Sequence, residues 1–189
     1  MAIFTALFDA NVLYSIGITD IAIRLARRDV FRLRWSDQIH HEWMRTLAEQ
    51  RPDLDQAAIE RRRQRMDHAV PQARVTGYES LVEGLRLPDA EDRHVLAAAI
   101  NGRADVIVSF NTQDFPADAL EPHGIECQHP DEFLNFQMSL NEATFIEVVR
   151  EARGDLISPA ISSDNYIDMI DKRGLPVLAS NLRKVRKLL

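Results

Sequence analysis

Short apolar runs alternate with longer amphipathic stretches over roughly the first 137 residues, and this alternation leaves few folds open. `AIFTALF` (2–8) is a continuous apolar run ending at a polar turn, which predicts a buried strand. `ITDIAIRLARR` predicts a helix capped by Thr19, and `VFRLRWS` a strand with one polar face. Helices follow over `DQIHHEWMRTLAEQ`, capped by Ser36 or Asp37, and over `LDQAAIERRRQRMDHAV`. `ARVTGY` is a short strand candidate. In `LPDAEDRHVLAAAINGRADVIVSFNTQDFP` the spacing predicts a helix over 89–100, a stop at Asn101-Gly102 and a strand over `DVIVSF`. `GIECQ` is a last strand, and Pro130-Asp131 opens the helix `DEFLNFQM`. Strands alternating with helices imply a parallel sheet covered on both faces. From about residue 140 only helical patterns remain, divided by Gly154, Pro159, Gly174 and Pro176. The expected organisation is an α/β unit over 1–137 and a helical extension over 138–189.

In such sheets, sites gather beyond the carboxyl ends of the strands. Asp9 and Asn11 follow the first strand, and Asn111 and Asp114 follow `DVIVSF`. Asp and Asn also make turns and helix caps, so position alone does not assign them a function. Two helical acids add to the pattern. Asp92 shares a face with Val95, Leu96 and Ala99, the apolar stripe of its helix. Asp89 and Glu91 would serve the helix dipole equally well without facing inward. Glu42 lies between Ile39 and Thr46 beside Trp43, either in the site or at an exposed boundary.

If Asp9, Glu42, Asp92 and Asp114 converge, they repel. Two like charges about 4 Å apart cost about 4 kcal/mol at an effective dielectric of 20. Protons or cations must then neutralise the group. Oxygen donors suit hard divalent ions, Mg²⁺ or Mn²⁺, which commonly serve phosphoryl chemistry.

Other features narrow the classes. No apolar run approaches the roughly 20 residues of a membrane span, and no basic region precedes the first apolar run as in a signal peptide. A single cysteine, Cys127, forms no internal disulfide and no multi-Cys zinc site, which suggests a cytoplasmic protein with Cys127 in the core. The net charge of −6 argues against a surface coated with cations, though not against a local basic strip. His40 and His41 lack partner spacing for zinc and His94 lies off the apolar face, so all three are expected to be ordinary helix residues. `RRRQR` (61–65) reads as a solvated helix face, with a phosphate guide as its alternative. Six basic residues and no acidic one follow Asp171. They complement a helix terminus or contact phosphates.

`LFDANVLYS`, `IHHEWMRTL` and the long block ending `NTQDFP` together resemble the PIN-domain family of metal-dependent nucleases, and within it the bacterial VapC-type toxins. The resemblance covers about residues 1–137. It implies a three-layer α/β/α fold with a central parallel sheet, Mg²⁺ or Mn²⁺, and endonucleolytic cleavage of RNA. It also implies an antitoxin partner and, in many members, a homodimer. Carried over by position, Asp9, Asp92 and Asp114 are metal ligands and Glu42 is a fourth catalytic acid, with Asp89 a possible accessory. Ser109 stands where Thr is common and Asn111 where some members carry an acid. The helical extension exceeds a minimal domain of this family. The rival reading is a catalytically silent PIN-like protein whose acids bind only a metal or a partner. A haloacid-dehalogenase phosphatase fits less well, because Asn11 replaces the second acid. A receiver domain lacks its core lysine, since no Lys precedes residue 172.

Overall fold

A computed structural model of the chain describes residues 3–157 and 159–189; the expected start of the first strand at Ala2 lies outside them. The chain order is β1 (Thr5–Phe8), α1 (Ala10–Leu13), α2 (Ile16–Ala26), β2 (Arg32–Ser36), α3 (Asp37–Gln50), α4 (Gln56–Ala69) and β3 (Arg74–Val75). After a 3₁₀ turn (Glu79–Gly84) come α5 (Arg93–Asn101), β4 (Val106–Val108), a second 3₁₀ turn (Thr112–Asp114), α6 (Ala117–Leu120) and β5 (Glu126–Gln128). Four helices close the chain: α7 (Pro130–Leu140), α8 (Glu142–Gly154), α9 (Ser163–Lys172) and α10 (Pro176–Lys184).

The five strands form one parallel sheet in the order β3-β2-β1-β4-β5, flanked by helices. The chain builds outward from β1 to β3, then returns to the other side of β1 to lay down β4 and β5. The gap between the ends of β1 and β4 is thus the topological switch point, where ligands of open α/β sheets bind. Every residue of β1 and β4 is buried, as their apolar runs require. Phe8 of β1 stacks on Phe31 at 6.0 Å between centroids, and Phe133 of α7 meets both rings edge-on at 5.7 and 5.0 Å. That trio fixes α7 against the centre of the sheet.

Local chemistry sets several helix starts. Ser36 caps α3 through the Ile39 amide at 3.2 Å, and Asp55 and Ser162 cap α4 and α9. Thr19 is not a cap. It is buried inside α2, whose start follows Ser15, and its hydroxyl donates to the Leu13 carbonyl at 3.1 Å. The cap signal was displaced because α1 and α2 are separated only by Tyr14 and Ser15.

The closing helices pack directly on the sheet layer. Phe145, Val148 and Val149 of α8 are fully buried. Glu151 of α8 pairs with Arg28 of α2 at 2.7 Å and with Arg24 at 3.5 Å, and Asp155 also pairs with Arg24. The buried Asp131 carboxylate of α7 accepts from the Val177 and Leu178 amides at 2.9 and 2.8 Å, and so caps α10 from a different helix.

Two basic segments differ from expectation. In `RRRQR`, Arg62 stacks on Trp43 with its guanidinium carbon 4.4 Å from the ring centroid, and it donates to the Leu13 and Tyr14 carbonyls. Arg63 pairs with Glu60 and Asp67. Two of the four arginines in this stretch are therefore structural. In the tail, Arg183 pairs with Asp168 and Asp171 at 2.9 Å each, so acids from α9 neutralise it across the turn between helices.

Candidate active site

Asp9 sits where β1 hands over to α1, and it is both a cap and a buried acid. Its Oδ1 accepts from the Ala10 amide at 2.6 Å. Its Oδ2 accepts from the Ser109 hydroxyl at 2.7 Å and from the Asn11 amide group at 2.8 Å. Asn11 is oriented in turn by the Phe110 amide, which donates to its Oδ1 at 3.2 Å and leaves the Nδ2 hydrogens for Asp9 and Ser109. The turn after β1 and the turn after β4 are thereby locked together across the switch point. Burial raises the pKa of Asp9; hydrogen bonds from Ser109 and Ala10 oppose that rise, Glu42 adds to it and His94 lowers it.

Beyond Asp9 opens a cleft of about 550 Å³. Asp9, Glu42, Glu91, Asp92 and Asn111 line one part of it, and Tyr14, Arg45, Thr46 and Gln50 line another. Asp92 is the residue just before α5 rather than a member of its first turn, since the helix starts four residues later than expected. Its carboxyl is pushed up to about 6 by burial and by the charges of Asp9, Asp114 and Asp89. Asp114 ends the turn after β4 and does not line the cleft, although its charge bears on Asp92.

Glu42 faces this site from α3, and His94 holds it: Nε2 lies 2.7 Å from Oε1. The sequence reading of His94 as an ordinary helix residue off the apolar face is corrected here. Residues 94 to 99 of α5 are all buried, so this helix has no exposed face for His94 to occupy. Its Nδ1 is buried with no hydrogen-bond partner among the described residues. A proton on Nε2 satisfies Glu42 and leaves Nδ1 as a bare acceptor rather than an orphaned donor. His40 is buried too, receiving the Trp43 indole N–H at Nδ1 (2.9 Å) and facing Asp67 through Nε2 (3.2 Å). Cys127 is half-buried in β5, and burial pushes its thiol up to about 12, so it is a poor nucleophile at neutral pH.

The donor set suits a hard cation, because every acid in the group offers oxygen. Among the described residues, no three His, Cys, Asp or Glu side chains stand close enough to enclose a metal ion.

The family model described as PIN domain matches residues 5–113, from β1 to the turn after β4. The chain belongs to the PIN-domain family. A second model, described as VapC50 C-terminal domain, matches residues 130–184, from α7 to α10 of the PIN-domain chain. The chain is 36% identical over 109 residues to "Putative ribonuclease VapC50" of Mycobacterium tuberculosis. That match covers 58% of this chain and 63% of the relative, less than two thirds of its length. No solved structure matches the chain. Among the described residues, no helix is long and apolar enough to cross a membrane.

Sequence reasoning missed His94 and Glu91 in this PIN domain. Glu91 had a signal in its place within `DAED`. His94 had none, because its partner lies on another element.

The raised pKa of Asp92 has a consequence for stability. Its folded value of about 6 lies above the ordinary 3.8, so the folded chain keeps the proton longer than the unfolded one. Stability in the absence of metal should therefore fall as pH rises from about 4 to about 6, then level off. In Asp92→Asn this component should be missing. Urea melts in EDTA across that range, wild type against variant, read the difference; matching pH slopes would refute it.

Proposed function

We propose that the chain is a metal-dependent endoribonuclease, acting in the cytoplasm as the toxin of a toxin–antitoxin pair. The observation that carries this reading is the buried setting of Asp9 at the switch point, its carboxylate accepting three hydrogen bonds, with Asp92 and Glu42 facing the same cleft. Asp9 and Asp92 would hold Mg²⁺ or Mn²⁺, while Asp114, expected from the sequence as a third ligand, stands outside the cleft lining and would act through its charge on Asp92. A divalent cation bound there supplies charge neutralisation at the phosphodiester and acidity to its attacking water. Ser109 and Asn11 hold the Asp9 carboxylate in one orientation and favour its charged form against burial. His94 keeps Glu42 turned inward, where its free oxygen can accept a proton from water. The printed name of the relative, a ribonuclease, supports RNA as the substrate. An antitoxin partner and a two-fold homodimer belong to the same reading. Sedimentation at micromolar concentration distinguishes dimer from monomer.

The deciding experiment is cleavage of labelled single-stranded RNA by the full chain with Mg²⁺, Mn²⁺ or EDTA. Internal cuts with either metal and none in EDTA are expected. A folded chain that binds Mn²⁺ yet leaves RNA intact would favour the silent, binding-only alternative.

A further inference from the structure

The cleft runs past the acids into a part of different chemistry. Glu42, Thr46 and Gln50 recur every four residues along one face of α3. At 1.5 Å per residue they carry the wall roughly 12 Å from the acidic end. Opposite stands Tyr14, half-buried, whose hydroxyl donates to Gln50 Oε1 at 2.8 Å. That bond fixes the Gln50 amide and leaves its two N–H donors uncommitted among the described residues. Arg45 is the one cation lining the cleft, and no ion pair or hydrogen bond among the described residues engages it. Arg62 lies nearby but is committed to Trp43 and to two backbone carbonyls. An acidic pocket repels phosphates, so a nucleic acid needs a cation and a stacking surface beside it.

We propose that Tyr14, Arg45, Thr46 and Gln50 form a nucleotide subsite, which seats one base and one phosphate of single-stranded RNA next to the acids; this rests on the nuclease reading above. Arg45 takes the phosphate. The Tyr14 ring takes the base face, and the Gln50 amide with the Thr46 hydroxyl reads the base edge. Base stacking on an aromatic ring tolerates any base, whereas the amide and hydroxyl discriminate.

The test compares the full chain with Arg45→Gln, Tyr14→Ala, Tyr14→Phe and Gln50→Ala, each checked for a native melt. Fluorescence anisotropy in EDTA gives the affinity for a randomised single-stranded RNA and its salt dependence. Sequencing of fragments made with Mn²⁺ gives the cut-site profile. Arg45→Gln should weaken binding about tenfold across sequences and lower the log–log salt slope by about 0.7. Tyr14→Ala should weaken binding about tenfold, whereas Tyr14→Phe, which keeps the ring but frees the Gln50 amide, should weaken binding less and blur the base preference. Gln50→Ala should flatten base preference at one fixed position beside the cut. If affinity, slope and profile are unchanged in all of these folded variants, the proposal is overturned, including in favour of a protein ligand for the cleft. If the wild type cuts no RNA, the nuclease reading fails by itself, and the anisotropy results still decide the subsite.

Discussion

Asp9→Asn should reduce RNA cleavage by roughly 10²–10³-fold, the scale on which single groups aimed at developing charge count, while the chain stays folded. Two effects on stability oppose each other. Asparagine is nearly the same shape and can still accept from the Ala10 amide, and removing a buried carboxylate relieves desolvation and the repulsion from Glu42. Against this, its N–H₂ would meet both the Asn11 N–H₂ and the Ser109 hydroxyl that now donate to Asp9 Oδ2; the hydroxyl can turn to accept, but the Asn11 donor is left unpaired at a cost of about 1–3 kcal/mol. The balance predicts a melting temperature close to wild type in EDTA. Ligand linkage supplies a second readout: Mn²⁺ should raise the melting temperature of the wild type and raise that of Asp9→Asn much less. Cleavage at the wild-type rate by folded Asp9→Asn would remove Asp9 from the chemistry. Lost cleavage with an intact Mn²⁺ shift would instead move the metal away from Asp9.

The elements legible in the sequence were those whose signals are local. β1, β4 and their polar ends follow from short apolar runs broken by Asp9-Ala10-Asn11 and Asn111. The helix starts at Ser36 and Pro130 were readable because Ser36 caps its own helix and proline suits the first helical position, although the cap of α7 itself is His129. The illegible features depend on contacts between distant residues. The `RRRQR` helix has the composition of a solvated face, yet the α1 carbonyls and Trp43 draw Arg62 inward. The tail has no acid near it in sequence, but the turn before α10 folds Arg183 back onto α9. His94 was misread for a further reason: a helix buried on all sides has no stripe to compare a polar residue against. Within the site, Asp9, expected at the sheet rim, and Asp92, expected on the inward face of its helix, fall in one cleft, whereas Asp114, also expected at the rim, does not line it. The clamp of Asn11 and Ser109 on Asp9 links residues about a hundred positions apart, and only the strand order β1-β4 brings them together.

Deleting residues 141–189 should abolish cooperative folding rather than release a free-standing nuclease unit. The domain limits suggested by sequence, near residue 137, would allow the first part to fold by itself; the packing argues otherwise. α2 rests on α8, where Arg24 and Arg28 hold Glu151 and Asp155, and α7 rests on both α8 and α10. The cut would remove the two α10 amides that now pair with Asp131 and so the bond that ties α10 to α7. It would also bare the faces of α2 and α7 that now meet Phe145, Val148, Val149, Leu178 and Leu182, all fully buried. Each apolar side chain returned to water costs about 1.5–3 kcal/mol, against a whole-domain margin of about 5–15 kcal/mol. The site would feel the loss as well. Gly174, with a φ of +86°, lies against the Phe110 ring, where a β-carbon would stand 3.1 Å from Cε1, and Phe110 carries the amide that orients Asn11 toward Asp9. The expected result for chain 1–140 is a broad, non-cooperative melt, dye binding to exposed apolar surface and no RNA cleavage. A sharp melt within about 5 °C of the full chain would show the first part to be an independent domain. Full-length Asp131→Asn, which keeps the helices but weakens the cap on α10, should fall between these extremes and retain cleavage.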